Sequence, residues 1–354
     1  MRVLHEERRI IRGPLPASLA NGTRSCAENT AVLDILLITF PFFALVLCGF
    51  AGARLRLLPL EAIPGLNTFV LYFALPCMLY RFGSTTPIAQ LLDAAAIAVY
   101  LVCALVMVTF VVTASMNRRI GWNDASFGAL VASFPNTGFM GVPLLVALLG
   151  TAAAGPAILT ILVDLLVTTS LCIALSRLDG AGQDGVRDAA KNALKAVVAN
   201  PMPWAIILGG LASAWQFKPI APVLQTLELL ADAASPVALF TIGAVLARAP
   251  MLSAATQQAT NLMPLRDYLP VAVIKLVVHP ALVLLVGATA IHLGLPLDRF
   301  ALTVMVLVAA LPSASNVSVL AEKFGADNNR IARIILLTTA AAFLTFSGAV
   351  ALVN

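Results

Sequence analysis

Two short stretches decide how this chain folds: FPNTGFMGVPLL at residues 134–145 and ALPSASN at residues 310–316. Each lies within a long apolar segment and combines proline with small polar residues. Proline removes a backbone donor and collides with the carbonyl group four residues earlier, so a helix should break at both places. In hydrocarbon, each freed backbone group costs several kcal/mol unless protein, water or a ligand satisfies it. We therefore expect both breaks to line a cavity. The alternative is a pair of ordinary proline kinks that neighbouring helices satisfy.

The composition around these stretches is that of a helical membrane protein. Of the 354 residues, 60% are hydrophobic and 11% are charged, whereas soluble domains carry about 25% charged residues. Apolar segments of about 20 residues recur, which is the length that a helix needs to cross a hydrocarbon core of ~30 Å. The alternating segments of a membrane barrel are absent from the sequence. We predict an all-α membrane protein with ten transmembrane helices. These helices, labelled α1 to α10 in chain order, are predicted over residues 31–53, 63–82, 93–116, 124–150, 155–177, 200–217, 222–247, 268–294, 298–324 and 329–353.

Several classes of function are disfavoured. The net charge of +5 does not indicate nucleic-acid binding, because the basic residues lie between helices and form no block. Four of the five cysteines lie within apolar helices and none forms a CxxC pair, so neither a disulfide framework nor a metal site is expected. No HExxH, GxSxG or GxGD motif occurs, so we do not expect an enzyme. No cofactor is expected either, apart from a coupling proton or sodium ion.

The chain contains an internal repeat. ALPCMLYRFG at residues 74–83 aligns with ASPVALFTIG at residues 234–243, with proline, leucine, an aromatic residue and glycine in the same places. Each copy then holds five helices. Because five is odd, the second copy enters the membrane from the opposite side, and such inverted repeats are typical of transporters. The predicted divisions are a polar tail at 1–30, a first repeat at 31–178, a cytoplasmic loop at 179–199 and a second repeat at 200–354.

The distribution of basic residues predicts the orientation. The loops after the odd-numbered helices hold 13 lysines and arginines, and the loops after α2, α4, α6 and α8 hold three. Cytoplasmic loops carry the excess of basic residues, so both termini are predicted outside. The tail at residues 1–30 disagrees, since it carries five arginines and lacks the apolar region of a signal peptide.

The residues around the breaks suit an anion. Each break creates a helix N-terminus with partial positive charge and free N–H groups. Neutral asparagine, threonine and serine side chains add hydrogen bonds there, and no acidic residue lies among them. The predicted binding residues are Pro135, Asn136, Thr137 and Gly138 in α4, and Pro312, Ser313, Ser315 and Asn316 in α9.

A few titratable residues lie inside predicted helices. Asp164 is near the centre of α5, and Lys275 in α8 is followed one turn later by His279 on the same face. Intramembrane charges cost at least about 2.5–3.5 kcal/mol and usually face a bundle interior or water. Lys275 attracts a substrate carboxylate, or Asp164 carries a coupling proton or cation, or the two form a structural ion pair. His279 assists them or packs in the core. Asp232 in α7 either lines the cavity or has a structural role.

The motifs of both breaks resemble the auxin efflux carrier family, which includes plant PIN-type carriers and bacterial malonate or malate carriers. The resemblance rests on FPNTGFMGVPLL in α4 and on AALPSASNVSVLAEKFGAD at residues 309–327, with looser support from KLVVHP at residues 275–280. It covers about residues 32–354. The family's substrate-binding asparagine corresponds to Asn136 in the matching PNT.

This resemblance implies a fold related to sodium/proton antiporters and bile acid carriers, in which the two broken helices cross. It implies a scaffold of α1, α2, α6 and α7 and a transport domain of α3–α5 and α8–α10. It further implies elevator-like motion, a homodimer and, for a compact bacterial-type member, a place in the plasma membrane (the bacterial inner membrane).

We therefore predict a secondary or facilitative transporter of a small organic anion, such as malonate, malate or an auxin-like indole carboxylate. The anion would bind where α4 and α9 cross. One alternative is a sodium/proton antiporter, although such proteins place adjacent acids near the crossover, where this chain offers only Asp164. The other alternative is a membrane receptor that keeps the fold without transporting.

Overall fold

The computed structural model describes residues 17–178, 191, 194–195, 198–255 and 263–353. These residues are helical almost throughout, and no strand forms within them, which confirms the predicted all-α class. Most of the predicted tail and of the predicted loop at 179–199 lies outside the described residues.

The helices keep the labels given above, and the two broken ones are divided into halves a and b. They are α1 (Ala17–Arg54), α2 (Ile63–Thr85), α3 (Ala94–Ser115), α4a (Trp122–Ser133), α4b (Thr137–Leu149), α5 (Thr151–Leu175), α6 (Pro201–Ala214), α7 (Ala221–Ala255), α8 (Leu269–His292), α9a (Arg299–Ala310), α9b (Asn316–Lys323) and α10 (Asn328–Val353). α1 thus begins inside the segment predicted as a polar tail.

Among the residues that the structure describes, seven helices are long and apolar enough to cross a membrane, which makes this a multi-pass membrane protein. They are α1 from Ile35, α2, α3, α5, α7, α8 and α10. Three apolar helices, α4b, α6 and α9a, are shorter. In α4 and α9 the reason is the break, which divides one long segment into two short helices. That these segments also cross the membrane, giving ten crossings, stays a prediction.

Prolines shape several helices without ending them. α2, α4b and α8 each contain a π-helical turn, at Val70–Ala74, Thr137–Gly141 and Ile274–Val278. Each of these turns ends two residues before a proline. Proline has no N–H to donate to the carbonyl group four residues back, and its ring collides with that carbonyl. A wider turn relieves this clash. α5 has a further π-helical turn at Asp164–Thr168 that no proline explains.

α1, α2, α6 and α7 pack together through close glycine contacts. A methyl group on Gly243 of α7 would lie 1.8 Å from the Val46 carbonyl oxygen of α1. A methyl group on Gly209 of α6 would lie 2.7 Å from the Tyr80 carbonyl oxygen of α2. These helix pairs therefore approach backbone to backbone, which no larger residue would allow.

The remaining helices surround the two breaks. Buried residues of α3, α5, α8 and α9a form one apolar cluster that includes Tyr100, Val163 and Met305. The core between the two groups of helices includes Leu75 of α2, Leu239 of α7 and Leu311 at the second break. The breaks therefore lie deep in the protein, with helices on every side.

Candidate functional site

The two breaks meet and satisfy each other's backbone. The Asn136 amide donates to the Pro312 carbonyl oxygen at 2.8 Å, and the Ala314 amide donates to the Phe134 carbonyl oxygen at 3.0 Å. The two bonds frame an isolated antiparallel bridge between Pro135 and Ser313. Both stretches are extended there because proline and small polar residues favour leaving the helix. The crossing point of α4 and α9 is thus a fixed, hydrogen-bonded junction.

Neighbouring helices satisfy two further groups freed by the break in α9. The Ser313 amide donates to the Thr338 hydroxyl of α10 at 3.3 Å. The Lys275 ammonium donates to the Ala309 carbonyl oxygen, near the C-terminal end of α9a, at 2.9 Å. A cation at a helix C-terminus is favourable because that end carries partial negative charge.

Other polar groups at the junction are buried without a partner among the described residues. They are the hydroxyls of Ser133, Thr137 and Ser313 and the amide oxygen of Asn316. Buried polar groups are normally hydrogen-bonded, so a cluster of unpaired ones needs an explanation such as water or a ligand. The junction therefore holds unused neutral hydrogen-bonding capacity.

Two helix N-termini also begin at the junction. Asn136 caps α4b and Ser315 caps α9b, and neither side chain makes a capping hydrogen bond. The first amides of a helix have no acceptor within it, and they carry the positive end of the helix dipole. Two such ends near one point favour a negatively charged group.

A small cavity of about 30 Å³ lies beside the junction. α2 and α7 form one wall and α4b and α9b form the other. Its lining residues are Asn67, Val70, Phe139, Ala238, Thr241, Ile242, Val245, Ser315, Ser318 and Val319, none of them charged. This volume suits one or two water molecules and not an organic anion. A substrate would therefore need the two walls to separate.

Only part of the predicted binding set reaches this cavity. Ser315 lines it, while Asn136, Thr137 and Ser313 are buried in the junction behind it. Gly138 faces α2, where an added methyl group would lie 3.5 Å from a Leu75 methyl group.

Three polar lining residues were not predicted. Asn67 and Thr241 belong to α2 and α7, outside the broken helices, and Ser318 lies one turn into α9b. An asparagine within an apolar helix was a usable sign for Asn67. No sequence feature indicated that Thr241 faces the breaks.

Asp164 is fully buried and hydrogen-bonded. The Tyr100 hydroxyl of α3 donates to its Oδ2 at 2.9 Å, and the Thr168 hydroxyl donates to its Oδ1 at 3.0 Å. The carboxylate thus has partners from two helices. Tyr100 was not predicted, because its distance in sequence gives no sign of the contact.

Lys275 is fully buried as well. Besides the Ala309 carbonyl, its ammonium contacts His279 Nδ1 at 3.0 Å. Lys275 and Asp164 form no ion pair in the part of the chain that the structure describes. Lys275 instead contacts the end of α9a, and the predicted alternative of a structural ion pair with Asp164 has no ion-pair contact behind it among the described residues.

Asp232 does not line the cavity. Its carboxylate pairs with Arg81 of α2, and its side chain is 69% exposed. The geometry therefore favours a structural role for Asp232.

Comparisons with known proteins also indicate a membrane transporter. The model of a family described as "Membrane transport protein" matches residues 34–185 and 177–350. A protein of Rhizobium meliloti (strain 1021) named "Putative malonate transporter" is 30% identical over 326 residues, which is 91% of this chain and 96% of that protein. "Uncharacterized transporter YfdV" of Escherichia coli (strain K12) is 29% identical over 202 residues, 57% of this chain and 59% of that protein.

Proposed function

Since this chain belongs to the membrane transport protein family, of the auxin efflux carrier type, we propose that it carries a small organic anion with a carboxylate group across the membrane. The carrying observation is the junction of α4 and α9, where two helix N-termini lie together with several neutral polar groups that have no partner among the described residues.

The chemistry of the junction favours a carboxylate over a bare cation. The hydroxyl donors of Thr137, Ser313 and Ser315 can replace the water that a carboxylate loses on entering the protein. Hydrogen bonds to a charged group are the strong ones. Malonate is the first substrate to test, because the relative from Rhizobium meliloti bears that name. Malate and an indole carboxylate are the further candidates.

The proposed architecture has ten transmembrane helices in two inverted five-helix repeats, as in sodium/proton antiporters and bile acid carriers. The glycine contacts support it. Gly83 of α2 packs against Gly209 of α6, and Gly243 of α7 packs against α1 beside Gly49. Gly83 and Gly243 are equivalent in the sequence repeat, so each copy's second helix packs on the other copy's first helix.

The proposed mechanism is elevator-type alternating access. α1, α2, α6 and α7 form the scaffold, and α3–α5 with α8–α10 form the domain that moves. The cavity supports this division, because Asn67 and Thr241 lie on its scaffold wall and Ser315 and Ser318 on its moving wall. A homodimer in the bacterial inner membrane with both termini outside completes the proposal.

Coupling to a proton or sodium ion is assigned to Asp164. Its carboxylate is buried in the domain proposed to move, where the Tyr100 and Thr168 hydroxyls hold it. The same feature supports the second candidate, a sodium/proton antiporter without organic substrate. Sodium-driven proton flux in the absence of any carboxylate would favour that second candidate.

The test is uptake of labelled malonate, malate and an indole carboxylate into proteoliposomes, with and without sodium and proton gradients. Saturable uptake by the wild type is expected, and it also removes the non-transporting receptor as an alternative. Asn136→Ala should reduce uptake at least tenfold, since it removes a neutral amide side chain that lies at the N-terminus of α4b in the junction. Full transport by Asn136→Ala would exclude the junction as the binding site.

A further inference from the structure

Arg330, in the first turn of α10, is only 2% exposed. Its Nε donates to the Asp267 carbonyl oxygen at 2.7 Å, and its Nη1 donates to the Asp124 carbonyl oxygen at 2.8 Å. Arginine is almost never buried unless it is paired. One guanidinium thus joins α10 to the turn before α8 and to the start of α4a.

The same place joins the end of α9b to the start of α4a. The Asp327 amide donates to Asp124 Oδ1 at 2.8 Å, and Asn123 Nδ2 donates to the Phe324 carbonyl oxygen at 3.2 Å. Asp327 Oδ1 in turn accepts from the Arg330 amide at 3.1 Å. We call these residues, Asn123, Asp124, Asp267, Phe324, Asp327 and Arg330, the Arg330 cluster.

The backbone of α4a leaves room for the guanidinium at one position. A methyl group on Gly128 would lie 2.8 Å from Arg330 Nη1. The guanidinium therefore rests directly on α4a. A single added methyl group would displace it without changing any charge.

The cluster lies at the end of α9b opposite the junction. α9b has eight residues, so it is about 12 Å long. The bridge between Pro135 and Ser313 holds its N-terminal side, and the Arg330 cluster holds its C-terminal side. A helix this short has little stability of its own, so these two attachments determine where it lies.

We propose that Arg330 is a positioning residue for the binding site and acts through α9b. By fastening the start of α10, which follows α9b closely in the chain, to α4a beside the Asp327–Asp124 and Asn123–Phe324 hydrogen bonds, it sets the distance of Ser315 and Asn316 from Asn136 across the junction. The inference rests on the proposed function for its effect on substrate, but its structural part can be tested without any substrate.

The experiment compares three variants of the full chain in detergent and in proteoliposomes. Arg330→Lys keeps the charge but loses the planar fork that reaches two carbonyl groups. Gly128→Ala displaces the guanidinium without changing the arginine at position 330. Gly348→Ala, in α10, is the matched control, because its added methyl group meets nothing within 4 Å.

Hydrogen exchange read by mass spectrometry should be about tenfold faster for the amides of α9b in Arg330→Lys and Gly128→Ala, as expected for the loss of one hydrogen bond to a charged group. Exchange in α9a should stay unchanged. In the uptake assay, the KM for malonate should rise several-fold in both variants while the maximal rate stays within about twofold. Gly348→Ala should behave as wild type in both assays.

Unchanged amide exchange in α9b would overturn the positioning role, and so would an equal increase of exchange in α9a and α9b. A wild-type KM for malonate together with faster exchange in α9b would overturn it as well. If Arg330→Lys does not fold, Gly128→Ala decides the same question. If the wild type transports no carboxylate, the proposed function fails, whereas the exchange measurement still tests whether Arg330 holds α9b.

Discussion

Ser315→Ala is the substitution that tests the binding site with least disturbance of the fold. The Ser315 hydroxyl lines the cavity at the N-terminus of α9b, and it makes no capping hydrogen bond there. Removing it therefore breaks no bond within the described protein. A hydrogen bond to a charged group contributes about 1.5–3 kcal/mol, and about 1.4 kcal/mol changes an affinity tenfold. We expect the KM for the transported carboxylate to rise by about 10- to 100-fold.

The matched control is Ser126→Ala. Its hydroxyl is also without a hydrogen-bond partner among the described residues and is completely buried, but it lies in α4a outside the cavity lining. Both variants lose the same atom, so the unfolding temperature should stay close to that of the wild type in each. Concentration-dependent uptake into proteoliposomes gives the KM. Equal KM values for Ser315→Ala and Ser126→Ala would refute the reasoning that the cavity wall of α9b binds the substrate.

Three further substitutions test the packing and the buried charges. Gly243→Ala should lower the unfolding temperature by several degrees, because its methyl group would meet the α1 backbone, whereas Gly65→Ala, with open space around it, should not; equal temperatures would argue against the close packing. Lys275→Met should cost about 1.5–3 kcal/mol of stability in denaturant unfolding, because it leaves the Ala309 carbonyl without its charged donor, and an unchanged midpoint would contradict that contact. Asp164→Asn should fold, since the amide oxygen can still accept one of the two hydroxyls, but it should lose gradient-driven accumulation while keeping substrate exchange; accumulation at the wild-type level would exclude Asp164 as the coupling residue.

The breaks were predictable because their cause is local. Proline with small polar neighbours inside an apolar segment disrupts the helix whatever surrounds it, so Pro135 and Pro312 indicated both breaks. The meeting of the breaks was predicted only through the family resemblance. The hydrogen bonds that join them are long-range and leave no separate trace in composition.

The cavity wall formed by α2 and α7 was not predicted, because its contacts with the breaks are also long-range. Asn67 and Thr241 reach the cavity through the packing of α2 and α7, and one sequence carries no sign of which helix faces which. The alternative of an ion pair between Asp164 and Lys275 was suggested by charge alone. It left out the backbone carbonyl at the end of α9a, an acceptor that exists only because the helix breaks.

The arrangement of charge would let a site without a free basic side chain bind the proposed anion. Lys275 is the only basic side chain found at the junction in the described chain, and it is held by the Ala309 carbonyl and His279 on the side of α9a. The cavity lining has no formal charge. What remains for the substrate is the positive end of α4b and that of α9b, each equivalent to roughly half an elementary charge. Together they match one carboxylate, so a dicarboxylate would place one group at the junction and the other toward the widened cavity. Weak, distributed charge also suits a carrier, because a substrate held by a full ion pair in the protein interior would be slow to leave.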